Sequence, residues 1–251
     1  VSFYIPNLVY FADIDTNLIN TFNMKQLYSI LLILVTFLSS CGNSTLEEGE
    51  AASVTVSSVI FTQSLNKAKD LATVQGTKLE LKAGAKSDNF RDPDGKLSNN
   101  SAPVLLSKVD NTKPFTFTAK VKPGFLETYD AGTMYVYVNE KNWVKFAFER
   151  DERQLTRMVT VRTLDTSDDN NHDVVEEESV YMKISSDTKT IGYYYSLDKT
   201  NWQLVRLYRN DYPQEIFVGL STQSPVGDGT SATFDDCSLT ESSINDFRLG
   251  I

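Results

Sequence analysis

Four side chains on two neighbouring segments have the types and spacing to recognise a polar, ring-shaped ligand. Tyr135 lies in TMYVYV (133–138), and Trp143, Lys145 and Glu149 follow in NWVKFAFE (142–149). An aromatic face packs against sugar C–H groups while ammonium, carboxylate and amide groups hydrogen-bond hydroxyls, the usual mixture in a ligand cleft. Arg162 and Gln223 join the set as further groups able to orient hydroxyls. The same residues also fit a plainer role, a cross-strand ladder in which Lys145 and Glu149 form ion pairs. The second of the chain's two tryptophans, Trp202, opens WQLVRL and is expected to pack across its own hairpin.

Other chemistries have thinner support. Asp168, Asp169 and Asp173, with Asn170 and Asn171, are hard oxygen donors suited to Ca²⁺, but they lack the EF-hand spacing and equally suit a solvated acidic loop. The one histidine, His172, falls short of a zinc site, which takes three or four protein ligands. It also sits apart from any serine elbow, which excludes a Ser-His-Asp triad. Glycoside hydrolysis needs two carboxyl groups about 5–5.5 Å or about 6.5–9.5 Å apart. Glu149 and Glu178 are outside candidates, with Glu176 expected on the same strand face as Glu178, but no catalytic pair is visible and no catalytic residue is assigned. No cofactor is expected beyond the Ca²⁺ option. Cys237 reads as a small buried hydrophobe.

The elements that must position these residues are strands. PFTFTAKVK puts Phe115, Phe117, Ala119 and Val121 on one face. WVKFAFE sets Val144, Phe146 and Phe148 against Trp143, Lys145, Ala147 and Glu149, so Trp143 and Lys145 point away from the core. SVYMKIS and EIFVGLS repeat the pattern, and no stretch after residue 41 shows a helical period. Turn signals mark three loops, 87–103, 165–179 and 223–229. About a dozen strands imply an all-β fold of two packed antiparallel sheets.

The front of the chain has a different character. Met24 and Lys25 precede the apolar run LYSILLILVTFL (27–38), the layout of a secretory signal. The run is shorter than the roughly 20 apolar residues that span a bilayer. LSSC, ending at Cys41, looks like a bacterial lipobox, which implies a signal over 24–40 and lipidation of Cys41. Residues 1–23 then read as lying upstream of the true start, 41–53 as a polar tether, and 54–251 as a single domain. Several acyl chains would hold such a protein on a membrane through the anchor alone. The formal charge is −9 with no basic block, which excludes the phosphate neutralisation that nucleic-acid binding needs.

YDAGTMYVYVNEKNWVKFAFE (129–149), IGYYYSLDKTNWQLVR (191–206) and VGLSTQSPVGDGTSATFDD (218–236) together resemble a family of domains that includes the fungal "regulation of enolase" protein. The resemblance runs over about residues 77–240, and SDNF (87–90) matches an early Thr-Asp-Phe-Trp in which Arg91 replaces the final Trp. It implies a two-sheet antiparallel jelly-roll sandwich of the concanavalin A-like lectin/glucanase type. It implies no reaction, because family members mostly lack one. The expectation is a lipid-anchored, extracytoplasmic sandwich on a bacterial outer membrane or cell surface that binds glycan without cleaving it. The alternatives are a glucanase-type hydrolase and a surface docking module. The sequence does not constrain the oligomeric state.

Overall fold

A computed structural model of the protein describes residues 49–251. The signal segment, Cys41 and most of the expected tether lie outside the described residues. Residues 50–53, expected as part of a tether, instead belong to strand β1, which begins at Glu50.

Strands form wherever alternation was legible. The eight-stranded sheet runs, in spatial order, β1 (Glu50–Val56), β2 (Val59–Leu65), β7 (Val104–Asp110), β16 (Glu215–Gln223), β9 (Ala131–Asn139), β10 (Asn142–Arg150), β11 (Thr156–Leu164) and β12 (Thr166–Val174). The seven-stranded sheet runs β15 (Gln203–Arg209), β14 (Thr190–Ser196), β13 (Val180–Ser186), β8 (Phe115–Pro123), β17 (Gly229–Thr240), β4 (Lys78–Gly84) and β3 (Ala72–Gln75). A separate short hairpin pairs β5 (Asn89–Arg91) with β6 (Ser98–Asn100). All the pairings are antiparallel.

The sheets pack face to face. Phe117, Ala119, Val121, Met182 and Phe234 of one meet Val136, Val144, Phe146, Phe148 and Leu220 of the other in one continuous core. Phe146 stands edge-on to Tyr193 across the interface, with ring centroids 5.7 Å apart. Pairs of this kind add about 0.5–1.5 kcal/mol to the burial of the rings. Cys237 is buried in this core, and desolvation pushes its thiol up to about 12.

Two stretches expected as loops are partly strand. Residues 166–174 form β12, an edge strand whose acidic side chains keep that edge from pairing further. Residues 87–103 contain the β5–β6 hairpin, and this piece shapes the site.

Candidate functional site

The alternation of β9 and β10 sends Val144, Phe146 and Phe148 into the core and Tyr135, Trp143 and Ala147 out of the sandwich. The outward set is nonetheless buried: Tyr135 is 0% and Trp143 1% exposed. These two rings, 5.9 Å apart, join Val159, Val161, Phe217 and Leu106 in a second apolar layer on the outer face of the eight-stranded sheet. Phe90 of the β5–β6 hairpin packs down on that layer. The expectation of exposed aromatic platforms is therefore corrected. The rings face outward as the alternation demands, but a hairpin roofs them.

The hairpin is fastened from several sides. Asn89 donates to the Tyr135 hydroxyl at 3.3 Å and accepts from the Ala102 amide at 3.1 Å. Arg91 donates its Nε to the Asp165 carbonyl at 2.6 Å, and its backbone N–H donates to Ser167 Oγ at 3.0 Å. Asn66 donates to the carbonyls of Asn100 and Ala102.

The strongest fastening is Lys145. Its ammonium, 2% exposed, donates to Asp88 Oδ1 at 3.0 Å, to the Asn89 carbonyl at 2.9 Å and to Gln223 Oε1 at 2.8 Å. All three N–H bonds are thus committed. The Asp88 charge beside it keeps the ammonium above its ordinary pKa in spite of desolvation. Gln223 in turn donates Nε2 to the Tyr129 carbonyl at 3.0 Å and to Glu149 Oε2 at 3.2 Å. The network fixes which way the amide faces, since only its oxygen can accept from the ammonium.

Between hairpin and sheet lies a cavity of about 480 Å³. Its polar wall is Asp88, Lys145, Glu149, Asp169, Asn171 and Gln223; its apolar wall includes Phe90, Leu97, Tyr129, Val159, Val161 and Val226. Desolvation, reinforced by the carboxylates of Asp169, Asp88 and Asp151, pushes the Glu149 carboxyl up to about 8 despite the nearby Lys145. Glu149 uses one oxygen on Gln223, and its side chain borders the cavity. Burial raises the pKa of Asp169 as well. Tyr129 is held at φ 67°, a left-handed conformation that costs a bulky residue about 1–3 kcal/mol. The bonds from Gln223 to its carbonyl and from its N–H to the Arg150 carbonyl, at 2.6 Å, maintain it.

The structure thus brings Lys145, Glu149 and Gln223 together and places Tyr135 and Trp143 on the same outer face, in the apolar layer packed by the hairpin. It separates the others. Arg162 points to the opposite face of its strand, 4.7 Å above the Tyr208 ring, because it pairs with core-facing Val144. Glu178 is exposed and ion-paired to Lys122 on the seven-stranded sheet, so it forms no pair with Glu149. The calcium set is split by the pleat of β12. Asp168 binds Arg206, Asp173, beyond the register shift between β11 and β12, accepts from Tyr195, and Asp169 and Asn171 border the cavity. No group of three His, Cys, Asp or Glu among the described residues is placed to hold a metal ion. His172 shares a 3.0 Å hydrogen bond with Thr160 and is held below its ordinary pKa chiefly by burial. Trp202, expected to pack across its own hairpin, instead meets Lys183 of β13, whose ammonium lies 3.6 Å from the ring centroid. Sequence reasoning missed Asp88, Phe90 and Tyr129 as site residues, and it named Asn171 only as a calcium donor. The SDNF string was the available signal for the first two, and its place in a loop rich in turn residues hid it.

Solved structures share the architecture. A functionally unknown protein from Saccharomyces cerevisiae is similar at 23% identity with a TM-score of 0.65, over 71% of this chain and 95% of that one. The GH43B protein of a Bacteroides ovatus xyloglucan PUL is similar at 15% identity and TM-score 0.55, over 78% of this chain and 40% of that one. The GH43 protein BlXynB of Bacillus licheniformis follows at 14% and 0.52, over 66% of this chain and 33% of that one. The chain thus spans well under half of those two GH43 proteins, and at these identities the likeness concerns the fold. No curated protein matches the sequence. The family described as "Protein of unknown function (DUF1349)" matches residues 65–242, somewhat beyond the span of the sequence resemblance, and the chain belongs to that family.

Proposed function

We propose that the cavity beneath the β5–β6 hairpin binds a saccharide and does not cleave it. One observation carries this reading: a preformed space of about 480 Å³ in which two aromatic side chains, Phe90 and Tyr129, accompany hydrogen-bonding groups from Glu149, Asp169 and Asn171. That volume falls within the roughly 300–1,000 Å³ of small-molecule sites and suits one or two sugar rings. The sandwich likeness to the two GH43 proteins supports a carbohydrate setting through fold alone. Calorimetry against mono- and disaccharides tests the reading. Tyr129→Ala and Asp169→Ala should each weaken binding about tenfold, a loss of about 1.4 kcal/mol. Arg162→Ala should leave it unchanged. Absence of binding to every saccharide, or binding indifferent to both cavity variants, refutes it.

Hydrolysis is the second reading, and one observation favours it. A carboxyl group held near 8 stays protonated at neutral pH, as a general acid must. Release of reducing ends that stops in Glu149→Gln would establish it. For location, we infer from the signal layout and LSSC that Cys41 is lipidated and tethers the sandwich outside the cytoplasm. Metabolic labelling with a fatty acid that persists in Cys41→Ser would overturn this.

A further inference from the structure

We propose that the cavity selects a saccharide bearing a protonated amine, an amino sugar, with Glu149 as the group that receives the ammonium. This rests on the saccharide reading above and narrows it.

The first support is a donor count. Lys145 borders the cavity, but its three N–H bonds go to Asp88, Asn89 and Gln223. Both N–H bonds of the Gln223 amide go to Tyr129 and Glu149. Lys86, at the rim, donates to the Val226 carbonyl. The donors of Lys145 and Gln223 are therefore engaged within the protein, while Lys86 spends one of its three N–H bonds there. What remains toward a ligand is carboxyl oxygen from Glu149, Asp169 and Glu152, together with the Asn171 amide, which both donates and accepts. A sugar acid would meet four carboxyl groups, Asp88, Glu149, Glu152 and Asp169, against two ammonium groups, Lys86 and Lys145.

The second support is the field. Glu149, Asp169 and Tyr129 stand on three different parts of the wall, and all three are shifted in the direction that negative surroundings produce. Desolvation is the largest cause in each, and neighbouring carboxylates add to it: Asp169, Asp88 and Asp151 at Glu149, Asp88 and Glu152 at Asp169, Glu152 and Glu149 at Tyr129. At Glu149 and Asp169 Lys145 is the largest charged influence and opposes the shift, and desolvation outweighs it. A concave wall with four carboxyl groups against two ammonium groups, Lys86 and Lys145, favours positively charged ligands. The donor geometry favours an organic cation over a metal ion, since no three acidic, histidine or cysteine side chains among the described residues are placed around one point. The Phe90 and Tyr129 rings add faces on which an ammonium and its neighbouring C–H groups can rest.

The arrangement also predicts a proton movement. A bound ammonium favours the ionised form of Glu149, so the acid O–H bond breaks and its proton leaves to buffer. The ammonium keeps its own three protons.

The test is calorimetry at pH 6.5 with the β-1,4-linked glucosamine disaccharide, its N-acetylated form, cellobiose and glucuronic acid, each in two buffers of different ionisation enthalpy. The amino disaccharide should bind at least about tenfold more tightly than its acetylated form, equivalent to about 1.4 kcal/mol. It alone should give a buffer-dependent heat, and glucuronic acid should bind least. Glu149→Gln should abolish both the preference for the amino over the acetylated disaccharide and the proton release. Should the variant fail to fold, Asp169→Asn should reduce the preference in the same direction. Equal or tighter binding of the acetylated or acidic sugar, with cellobiose still bound, overturns the amine selectivity and leaves the saccharide reading standing. No heat with any sugar overturns both.

Discussion

Replacing Lys145 with Met removes the ammonium that fastens the hairpin and keeps most of the aliphatic stem. Three hydrogen bonds of 2.8–3.0 Å disappear at once, and Asp88 and Gln223 Oε1 lose their partner. The ion pair has side-chain exposures of 3% and 15%, so solvent screens it little. Breaking a pair of this kind by deleting one member costs about 3–5 kcal/mol, because the other charge stays behind uncompensated. Against a typical domain stability of about 5–15 kcal/mol, that is a large fraction. Asp88→Asn combined with Lys145→Met should recover part of the loss, giving a coupling of about 2 kcal/mol between the sites. The assay is urea unfolding, followed by Trp143 emission in a Trp202→Phe background. Hydrogen exchange over 89–100 reports the hairpin itself. In Lys145→Met the emission should shift to the red before global unfolding, as the roof lifts from the indole. A cost below about 1 kcal/mol with hairpin amides still protected would refute the latch and leave Lys145 as one buried charge among others.

Two further outcomes follow from the same geometry. Glu149 is raised to about 8, so between its unfolded pKa and that value the native state holds a proton the unfolded state has lost; stability should fall as pH rises from about 5 to 8, by up to about 1.4 kcal/mol per unit. Lys145, raised from an already high value, contributes no slope in that window, and Glu149→Gln should flatten the curve; parallel curves for the two proteins would contradict the shift. Gly132→Ala would place a methyl 2.6 Å from Val121 Cγ1 and 3.1 Å from Ala232 Cβ, between the sheets, and should cost about 1–3 kcal/mol in thermal or urea unfolding. An unchanged midpoint would show that the sheets separate more easily there than their contacts suggest.

The sandwich was legible because period-two alternation is a local signal. Phe115 to Val121 and Val144 to Phe148 announce their core face without help from elsewhere in the chain. The same alternation sent Trp143 and Lys145 outward correctly. It carried no information on what lies above them, because the cover comes from residues about 55 positions earlier, across a turn-rich segment with no periodicity. Arg162 failed for a different reason: its parity relative to Val144 across the ladder decides its face, and that register is set by pairing rather than by type. The acidic run 165–179 looked like a loop because charge suppresses apolar alternation, yet an edge strand needs only backbone partners on one side, which β11 supplies. Asp169 entered as a calcium candidate for its oxygen and proves to be the one member of that trio that borders the cavity.

The roof over Trp143 is built from a dozen residues joined to the sandwich by polar bonds at its edges and a single aromatic wedge at its centre. Such a piece is interchangeable in a way that strands are not. Altering its length or its cavity-lining residues, Leu97 and Asn99, would resize the chamber while the two sheets beneath keep every ladder bond. Diversity in what relatives of this fold accept can therefore accumulate in one short insert, at little expense to the scaffold that carries it.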